Sequence, residues 1–495
     1  MDLIAWITLG FHYSLLLVLC LFGLHRLSMV VRARHYRKHA EQENSKLKSL
    51  LASERFKELP AVTIQLPVFN ERNVAIRVIE QAVKMDYPAS KLQIQVVDDS
   101  TDDTYSVVKT YVEQLKAQGI NIEHVHRTNR QGFKAGALRD AMRSASGEFI
   151  AIFDADFTPE TDFLKQTIHH FTDSDVAMVQ GRWGHLNLNS NRLTKTQAIM
   201  LDSHFALEQQ VRFESGMLFN FNGTAGIWRT KAIIDAGHWS ADTLTEDLDL
   251  SYRAQLAGWK LIYRNDIVCA AELPADMRAF KSQQHRWAKG GIQVMKKLIK
   301  TVWKAPFRLS KKVEATFHLS NNFAYFVMLV DTLFLLIPSL IARQYLDIPF
   351  VFWLDIPLLI ISSGSHLIYL YFGQVALGKS QRNALIQLPF LLLLGICLAF
   401  NNARAALEAL LDQDSEFVRT PKSGDTESTQ LTPAKQYQTK LPASEGVELA
   451  AGLVFLYGVI WSVQNQSWLM LPFFLLLGFG FTLSAWASLN TRLPR

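Results

Sequence analysis

The uneven spread of apolar residues constrains the fold of this chain more than any other feature of its sequence. One apolar run covers residues 4–24, and the chain after Asn321 is apolar in blocks at 323–340, 349–372, 384–400, 447–463 and 468–486. A block of about 20 apolar residues is long enough to cross a bilayer as a helix. The long stretch between the first run and the later blocks is rich in charge. The pattern predicts a soluble domain inserted between membrane helices.

Basic residues beside the apolar segments predict the orientation of the chain. They follow the first run and precede the next block, and such residues mark cytoplasmic flanks. Lipid headgroups are sufficient partners for these runs, so the sequence does not indicate nucleic-acid binding. The first run is long for a signal core and shows no small-residue cleavage site, which favours a retained anchor. The flanking residues are Arg26, Arg32, Arg34, Arg37 and Lys38, then Lys296, Lys297, Lys300, Lys304, Arg308, Lys311 and Lys312.

The cysteines exclude two classes of small stabilised domain. Cys20, Cys269 and Cys397 lie far apart, and two of them fall in apolar blocks. Neither a disulfide framework nor a zinc site has such spacing. The fold must therefore be stabilised by its own core.

Within the charged stretch, apolar strands alternate with helical patterns. The sequence predicts strands at 61–68, 93–97, 122–126 and 148–153, helices at 72–85 and 134–144, and further on a helix from Leu193 to Phe213. This alternation favours a parallel, Rossmann-like α/β sheet. Ligands of such sheets bind at the carboxyl ends of the strands.

Three of the predicted strands end in polar side chains. They run into Asn70-Glu71, Asp98-Asp99 and Asp154-Ala155-Asp156. Any one of these could simply cap the helix that follows. Parallel strands deliver their carboxyl ends to one rim, so three together favour a binding site. The last pair of carboxylates suits Mg²⁺ or Mn²⁺, which prefer oxygen ligands together with substrate phosphates.

Three further segments offer polar or small residues to a ligand. Lys134 opens a helix whose N-terminus suits phosphate, although it could equally be a solvated lysine. Gly223-Thr224 lies between aromatic residues, where small residues allow close approach of a ligand or simply form a turn. Thr245-Glu246-Asp247 opens a helix to Leu256, where acidic residues either cap the helix or supply a base.

The run from Asp276 to Lys297 stands where the charged stretch meets the apolar blocks. If it is helical, Gln283, Arg286 and Trp287 share one face. A guanidinium pairs with phosphate, and an indole stacks on a sugar ring. The alternative is an ordinary amphipathic helix at a membrane surface, where Arg and Trp are common.

The motifs occur in the order of a known family signature. Asp98-Asp99, Asp154-x-Asp156, Thr245-Glu246-Asp247 and Gln283-x-x-Arg286-Trp287 resemble the D, DxD, TED and QxxRW motifs of processive family-2 glycosyltransferases. These include cellulose, chitin and hyaluronan synthases. The strings QQHRW, FNGTAGIWR and DDSTDDT resemble the cellulose-synthase-like mannan and glucan synthases in particular. The resemblance implies a GT-A fold, a Rossmann-like α/β catalytic domain inserted between transmembrane α-helices.

The resemblance also implies roles for individual residues. Asp247 would be the general base, and Asp154 and Asp156 would hold the Mg²⁺ or Mn²⁺. The acceptor would be bound by Gly223, Thr224, Glu246 and Trp287. The nucleotide sugar donor would be bound by Asn70, Glu71, Asp98, Asp99, Lys134, Asp154, Asp156, Gln283 and Arg286.

A segment between the later apolar blocks resembles the gating loop of cellulose synthases. It reads Phe417-Val418-Arg419-Thr420-Pro421-Lys422, where Val and Thr are offset from the family pattern FxVTxK and a proline intrudes. The resemblance implies that Phe417, Arg419, Thr420 and Lys422 close over the donor, with the two cations near phosphate. The alternative is a polar linker that runs to Ser444.

The membrane blocks predict five spans, an outside N-terminus and an inside C-terminus. Lys379, Arg382 and Arg404 flank the middle block, which places both of its ends inside. Pro389 and the Asn401-Asn402 pair fit an interfacial or re-entrant segment better than a span. A loop following that block then shares the side of the catalytic domain.

These observations define seven expected regions. They are an anchor at 1–31, a stalk at 32–58, a GT-A domain at 59–275, interfacial helices at 276–312, transmembrane or re-entrant helices at 313–412, a gating-type loop at 413–445 and a transmembrane pair at 446–495.

The expected activity is inverting transfer from UDP-glucose or GDP-mannose to a growing β-linked glucan or mannan. Coupling of this transfer to export across the inner or plasma membrane is a further expectation. One alternative is a glycolipid synthase that adds one sugar to ceramide or diacylglycerol. Another is a catalytically silent membrane scaffold. Membrane lipid is an expected partner, and export partners are unknown.

Overall fold

The computed structural model describes residues 1–51, 56–348, 352–413, 422, 424, 444–468 and 470–490. Seven strands form one sheet: β1 (Val62–Val68), β2 (Leu92–Asp98), β3 (Ile122–His126), β4 (Phe149–Ile152), β5 (Val176–His185), β6 (Gly226–Arg229) and β7 (Lys260–Ala271). The helices are α1 (Asp2–Leu51), α2 (Arg72–Val83), α3 (Thr104–Ala117), α4 (Phe133–Ala141), α5 (Phe163–Ile168), α6 (Arg192–Ser203), α7 (Gln210–Glu214), α8 (Thr230–Asp235), α9 (Glu246–Leu256), α10 (Met277–Lys304), α11 (Leu309–Ser320), α12 (Phe323–Val330), α13 (Leu336–Tyr345), α14 (Phe352–Leu359), α15 (Ser365–Ala376), α16 (Gln381–Leu410), α17 (Glu445–Gln464) and α18 (Leu471–Asn490).

The sheet has the order β3-β2-β1-β4-β6-β5-β7 and is mixed. The four predicted strands, β1 to β4, are parallel as expected, whereas β6, which was not predicted, runs antiparallel to both β4 and β5. β4 runs toward the rim, and the loop before β6 crosses that rim. Gly226 therefore enters opposite Ile152 and the strand leads away. A four-residue strand that begins with glycine gave no period-2 pattern to predict it from.

The rim of the sheet is set by the register of its central strands. Val68 pairs with Asp98, so β1 and β2 end side by side. β4 pairs with β1 up to Ile152 opposite Gln65, and the chain then continues along the same rim to Asp154 and Asp156. Alternating residues of β1 pack into the core on one face of the sheet, with helices α2 and α3 against it.

The predicted helix from Leu193 to Phe213 is interrupted. α6 ends at Ser203, a π-helical turn covers His204–Gln209, and α7 follows. A π turn rotates the side chains that come after it, and such turns are frequent at functional sites. The helical prediction is therefore right in type and wrong in regularity.

Within the described residues, six helical segments are long and apolar enough to cross a membrane: 2–36, 323–345, 354–376, 381–410, 445–464 and 471–489. Five of these six were predicted to span the membrane, and the remaining one is α16. It runs as one continuous helix through Pro389, which excludes a re-entrant hairpin within it. Length and composition alone do not separate a spanning α16 from an interfacial one, so the five-span prediction stays a prediction.

Both ends of α16 contact the soluble side of the molecule. Just before it, Lys379 Nζ lies 2.5 Å from Asp202 Oδ2 at the end of α6. At its other end, Lys296 Nζ of α10 donates to the carbonyl oxygens of Ala409 and Leu410, each at 3.0 Å. These contacts hold α16 against α6 at one end and against α10 at the other.

Candidate active site

A cavity of about 230 Å³ opens at the carboxyl ends of β1, β2 and β4 and is closed on its far side by α9 and α10. The sheet rim therefore brings together motifs that are far apart in sequence. Of the predicted site residues, Glu71, Asp99, Lys134, Asp154, Asp156, Gly223, Glu246, Asp247, Gln283, Arg286, Trp287 and Lys422 line this cavity.

Three predicted site residues within the described part of the chain do not line the cavity: two are buried behind its wall, and Asn70 is half-exposed. Asp98 is fully buried, where its Oδ1 accepts from the backbone N–H of Ser100 at 2.8 Å and its Oδ2 lies 2.8 Å from His124 Nε2. Thr224 is also fully buried, and its hydroxyl accepts from the backbone N–H of Asp154 at 2.9 Å. Asn70 adopts φ 52° and accepts from the backbone N–H of Thr101 at 2.8 Å. Their geometry supports the wall, and their direct contacts with ligand stay predictions.

The two carboxylates of the Asp-x-Asp motif each hold a lysine ammonium. Lys134 Nζ lies 2.6 Å from Asp154 Oδ1, and Lys422 Nζ lies 2.6 Å from Asp156 Oδ2. Burial raises the pKa of Asp154, while the charge of Lys134 opposes that rise. Both carboxylates face the cavity and already bind a cationic group. Their oxygen atoms are the kind of ligand that Mg²⁺ and Mn²⁺ prefer.

Lys134 also reaches the loop that precedes β6. Its ammonium donates to the carbonyl oxygen of Gly223 at 3.0 Å. Gly132, at φ 75°, forms the left-handed turn from which α4 begins, and Lys134 lies in the first turn of that helix. The lysine thus links a helix N-terminus, the Asp-x-Asp motif and the glycine loop.

Asp247 lies in the first turn of α9, facing the same glycine. A Cβ atom on Gly223 would lie 3.1 Å from Asp247 Oδ2, and the glycine has φ 85°. Burial, and then the negative charge of Glu246, raise the pKa of Asp247 to about 7. A carboxylate with a pKa near neutrality is suited to accept a proton during a reaction.

α10 presents the predicted amide, guanidinium and indole to the cavity. The indoles of Trp287 and Trp183 lie 6.2 Å apart between ring centroids and are tilted by 55°. The helix approaches α9 closely at Gly290, where a Cβ atom would lie 2.5 Å from Thr245 Cγ2. The absence of a side chain at Gly290 therefore lets the QxxRW face sit beside Asp247.

Other residues at the site carried no sequence signal that was recognised. Arg127 grips Asp99 with two hydrogen bonds, Nε to Oδ1 at 2.8 Å and Nη2 to Oδ2 at 2.6 Å. Arg130 lies over the ring of Phe69 and lines the cavity with Glu272. The polar strand end of β3 could have suggested Arg127, since β3 neighbours β2. Also on the wall are Trp183, His185, Leu201, Asn222, Leu273 and Pro274.

Asp98, His124 and His126 form a separate cluster beside the cavity. One ligand atom from each lies within 4.8 Å of the others, as a bound metal ion would require. Tyr105 packs against both imidazoles, with ring centroids 5.4 Å and 4.4 Å away. The cluster is distinct from the Asp-x-Asp pair on which the predicted metal site depends.

The predicted gating loop falls mostly outside the described residues. Phe417, Arg419 and Thr420 are among those that the structure does not describe. Lys422 is described, and it reaches the cavity with support from the catalytic domain. Its carbonyl oxygen accepts from Asn73 Nδ2 at 3.3 Å, and its ammonium donates to the carbonyl oxygen of Glu272 at 3.1 Å.

The sequence matches the family described as "Glycosyltransferase like family 2" over residues 60–290. Among curated relatives, it is 33% identical over 449 residues to glucomannan 4-beta-mannosyltransferase 7 of Arabidopsis thaliana, covering 85% of this chain and 77% of that protein. It is 42% identical over 258 residues to glucomannan 4-beta-mannosyltransferase 1 of Oryza sativa subsp. japonica, covering 50% of each chain. The chain thus spans half the length of the rice relative and most of that of the Arabidopsis relative.

Solved structures with a similar arrangement share little sequence with this chain. One is the mannosyltransferase PcManGT from Pyrobaculum calidifontis in complex with GDP-Man and Mn²⁺, at 19% identity and a TM-score of 0.47, covering 80% of this chain and 100% of that one. Another is S. aureus TarS 1-349 in complex with UDP-GlcNAc, at 14% identity and a TM-score of 0.41, covering 76% of this chain and 99% of that one.

Proposed function

Because this chain belongs to the processive family-2 glycosyltransferases, we propose that it transfers hexose from a nucleotide sugar, with inversion, to a growing β-linked polysaccharide of the mannan or glucomannan type. The names of the relatives favour this product and mannose as the transferred sugar, which of the two expected donors only GDP-mannose carries. They disfavour the two alternatives, a single sugar added to a lipid and an inactive scaffold. The observation that carries the proposal is the convergence of Asp154, Asp156, Asp247 and Trp287 on one cavity.

The donor would bind along the rim from β2 to α10. Asp99, Glu71, Lys134 and Arg286 all line the cavity. The first two would contact the nucleoside, and the two cations would pair with the diphosphate. Asp154 and Asp156 would hold Mg²⁺ or Mn²⁺. When bound, the ion would neutralise the charge that develops on the departing diphosphate. Lys422 adds a further cation on the same side.

Asp247 would remove the proton from the acceptor hydroxyl. Its carboxylate lines the cavity and lies close to Gly223, where an added Cβ atom would come within 3.1 Å of Oδ2. As the hydroxyl oxygen bonds to the anomeric carbon, the bond to the diphosphate breaks on the opposite side, and Asp247 retains the proton. In-line attack of this kind inverts the anomeric configuration.

The acceptor would reach Asp247 from the side of α10. Trp287 and Trp183 offer flat apolar faces to a terminal sugar ring. α10 also meets α16 and lies at the boundary with the apolar helices, so the same helix would connect the transfer site to the membrane. A multi-pass protein with its catalytic domain in the cytoplasm is the orientation that we propose, with α16 lying along the membrane surface.

To test this proposal, the purified full chain in lipid nanodiscs is incubated with Mg²⁺ or Mn²⁺ and with GDP-mannose or UDP-glucose separately, and the products are identified. We expect a polymer that an endo-β-mannanase degrades, and no product from an Asp247→Asn variant that still binds GDP-mannose. A lipid-linked monosaccharide as the only product would contradict the proposal. Equal turnover by Asp247→Asn would remove Asp247 from its role.

A further inference from the structure

Asn222 on the cavity wall is held by a histidine that lies outside the cavity lining. His204 Nε2 lies 3.0 Å from Asn222 Nδ2, and His204 Nδ1 lies 3.0 Å from Glu208 Oε2. His204 begins the π-helical turn between α6 and α7, and Asn222 precedes Gly223 in the loop before β6. The π turn therefore aims an imidazole at the loop that carries the acceptor wall.

The hydrogen bonds determine which nitrogen of His204 carries the proton. Gln209 Nε2 donates to the carbonyl oxygen of Asn220 at 2.9 Å, and this fixes the orientation of the Gln209 amide because a carbonyl oxygen can only accept. The same nitrogen donates to Asn222 Oδ1 at 2.6 Å, so Asn222 must turn its Nδ2 toward His204. His204 Nε2 therefore accepts, and Nδ1 carries the hydrogen that is donated to Glu208.

His204 is in turn fixed by a chain of charged groups that ends on the first helix. Arg212 Nη1 lies 3.4 Å from Glu208 Oε2, and Arg212 Nε donates to Glu314 Oε1 at 3.2 Å. Glu314 also lies 3.0 Å from His25 Nε2 of α1. The side chains of Arg212 and Glu314 are each 2% exposed, so this link is shielded from water.

The two carboxylates in this series of charged groups, Glu208 and Glu314, are stabilised in their ionised forms. Burial raises the pKa of Glu314, but the hydrogen bond from His25 and the charge of Arg212 outweigh it and lower the pKa to about 2. Burial raises the pKa of Glu208 too, but the charge of Arg212, the hydrogen bond from His204 and the charge of Arg26 together hold that pKa well below its usual range. Glu208 is thus a constant acceptor for His204, which keeps the imidazole in one orientation.

The loop that contains Asn222 also contacts residues at the proposed transfer site. The backbone N–H of Asn222 donates to Gln180 Oε1 at 2.9 Å, and the carbonyl oxygen of Gly223 accepts from Lys134 Nζ at 3.0 Å. A shift of this loop would therefore change the space between Gly223 and Asp247. Asn222 itself shares the cavity wall with Trp287, on the acceptor side.

We propose that His204 is a positioning residue for the acceptor site, which it shapes by holding the Asn222 amide, and that the Glu208-Arg212-Glu314 chain anchors it to α1. This inference rests on the proposed function, since it assigns Asn222 to the acceptor glycan. It concerns recognition of a β-linked hexose chain. The expected donor contact of Asp99 involves a different part of the rim, after β2.

The experiment compares wild type with His204→Ala, His204→Gln and Asn222→Ala in nanodiscs, using a manno-oligosaccharide acceptor and GDP-mannose. We expect His204→Ala to raise the KM for the acceptor about tenfold, as loss of one fixed hydrogen bond allows, with the donor KM within about twofold of wild type. His204→Gln, whose amide oxygen can accept from Asn222, should recover most of the acceptor affinity. His238→Asn, at an exposed histidine of the same domain, is the matched control and should behave as wild type.

A double-mutant cycle separates positioning from general instability. If His204 acts through Asn222, the double variant should bind the acceptor no more weakly than Asn222→Ala alone, because the two changes remove one interaction. Additive losses, or equal rises in donor and acceptor KM, would overturn the inference. If wild type transfers no hexose and binds no oligosaccharide, the proposed function fails and the inference with it. If wild type transfers hexose normally and His204→Ala has the same acceptor KM as wild type, the inference is overturned while the proposed function stands.

Discussion

Lys422 Nζ donates to Asp156 Oδ2 at 2.6 Å, although the two residues are 266 positions apart in the chain. The carboxylate expected to hold a divalent cation thus holds an ammonium group. Lys134 makes the equivalent contact with Asp154, also at 2.6 Å. Two lysines therefore balance the charge of the Asp-x-Asp motif, and a metal ion has to compete with them for the same oxygens.

Replacing Lys422 with Met should therefore strengthen metal binding. Without the ammonium, Asp156 would meet Mn²⁺ with its full charge, and we expect affinity to rise by up to about tenfold, or about 1.4 kcal/mol. Sugar transfer should fall, since a cation near the diphosphate is lost. Electron paramagnetic resonance of free Mn²⁺ measures binding without turnover. Lys300→Met, at an exposed lysine of α10, is the control, and unchanged Mn²⁺ affinity in Lys422→Met would contradict the prediction.

The rate of transfer should rise with pH through neutrality. Burial and the neighbouring Glu246 raise the pKa of Asp247 to about 7. The base works in its deprotonated form, so the reactive fraction grows as pH increases and kcat/KM should fall about tenfold for each pH unit below about 7. Initial rates at saturating metal across this range test the assignment. A profile that is flat below neutrality would exclude Asp247 as the titrating base.

Much of the rim was predictable from sequence because it depends on local patterns. Strand β3 was predicted with its observed limits, Ile122–His126, and the polar ends of β1, β2 and β4 were expected at one edge. Most of the motif residues line the cavity, since parallel strands carry their carboxyl ends to a common side. This part of the site could therefore be predicted from the strand patterns alone.

The parts that were missed depend on tertiary structure. β6 runs antiparallel because its loop crosses the rim, and no residue of that short strand signals its direction. The motif predicts a nucleotide contact for Asp98, but nothing in the sequence indicated that its carboxylate pairs with His124. Arg127, which follows β3, binds Asp99, which follows the neighbouring strand β2, so its role depends on a contact between two strand ends. Pairings between distant residues of this kind leave no periodic trace in the sequence.

Two adjacent glycines on α10 offer a matched test of how the site is assembled. A Cβ atom at Gly290 would lie 2.5 Å from Thr245 Cγ2, whereas one at Gly291 would lie 3.5 Å from Asn322 Nδ2, an ordinary contact. Gly290→Ala should therefore push α10 away from the first turn of α9 and lower kcat by at least about tenfold, in line with a misplacement approaching 1 Å. Gly291→Ala should retain most activity. Equal effects of the two variants would show that close packing at Thr245 is not required.

A buried ion pair ties the same helix to the membrane part. Lys281 Nζ lies 2.9 Å from both carboxylate oxygens of Glu448 and also donates to Ser484 Oγ at 2.8 Å. The side chains of Lys281 and Glu448 are 3% and 0% exposed. Lys281→Met would leave Glu448 as an uncompensated buried charge, a loss that typically costs about 3–5 kcal/mol.

We expect Lys281→Met to lower the midpoint of thermal unfolding in detergent by several degrees or more. Adding Glu448→Gln should restore much of the stability, because it removes the unpaired charge rather than replacing the contact. Circular dichroism or dye-based melting of the three proteins measures this, with Lys300→Met as the control for loss of a lysine on α10. A double variant less stable than Lys281→Met would mean that Glu448 is held by other groups, and that α10 is tied to α17 by packing rather than by charge.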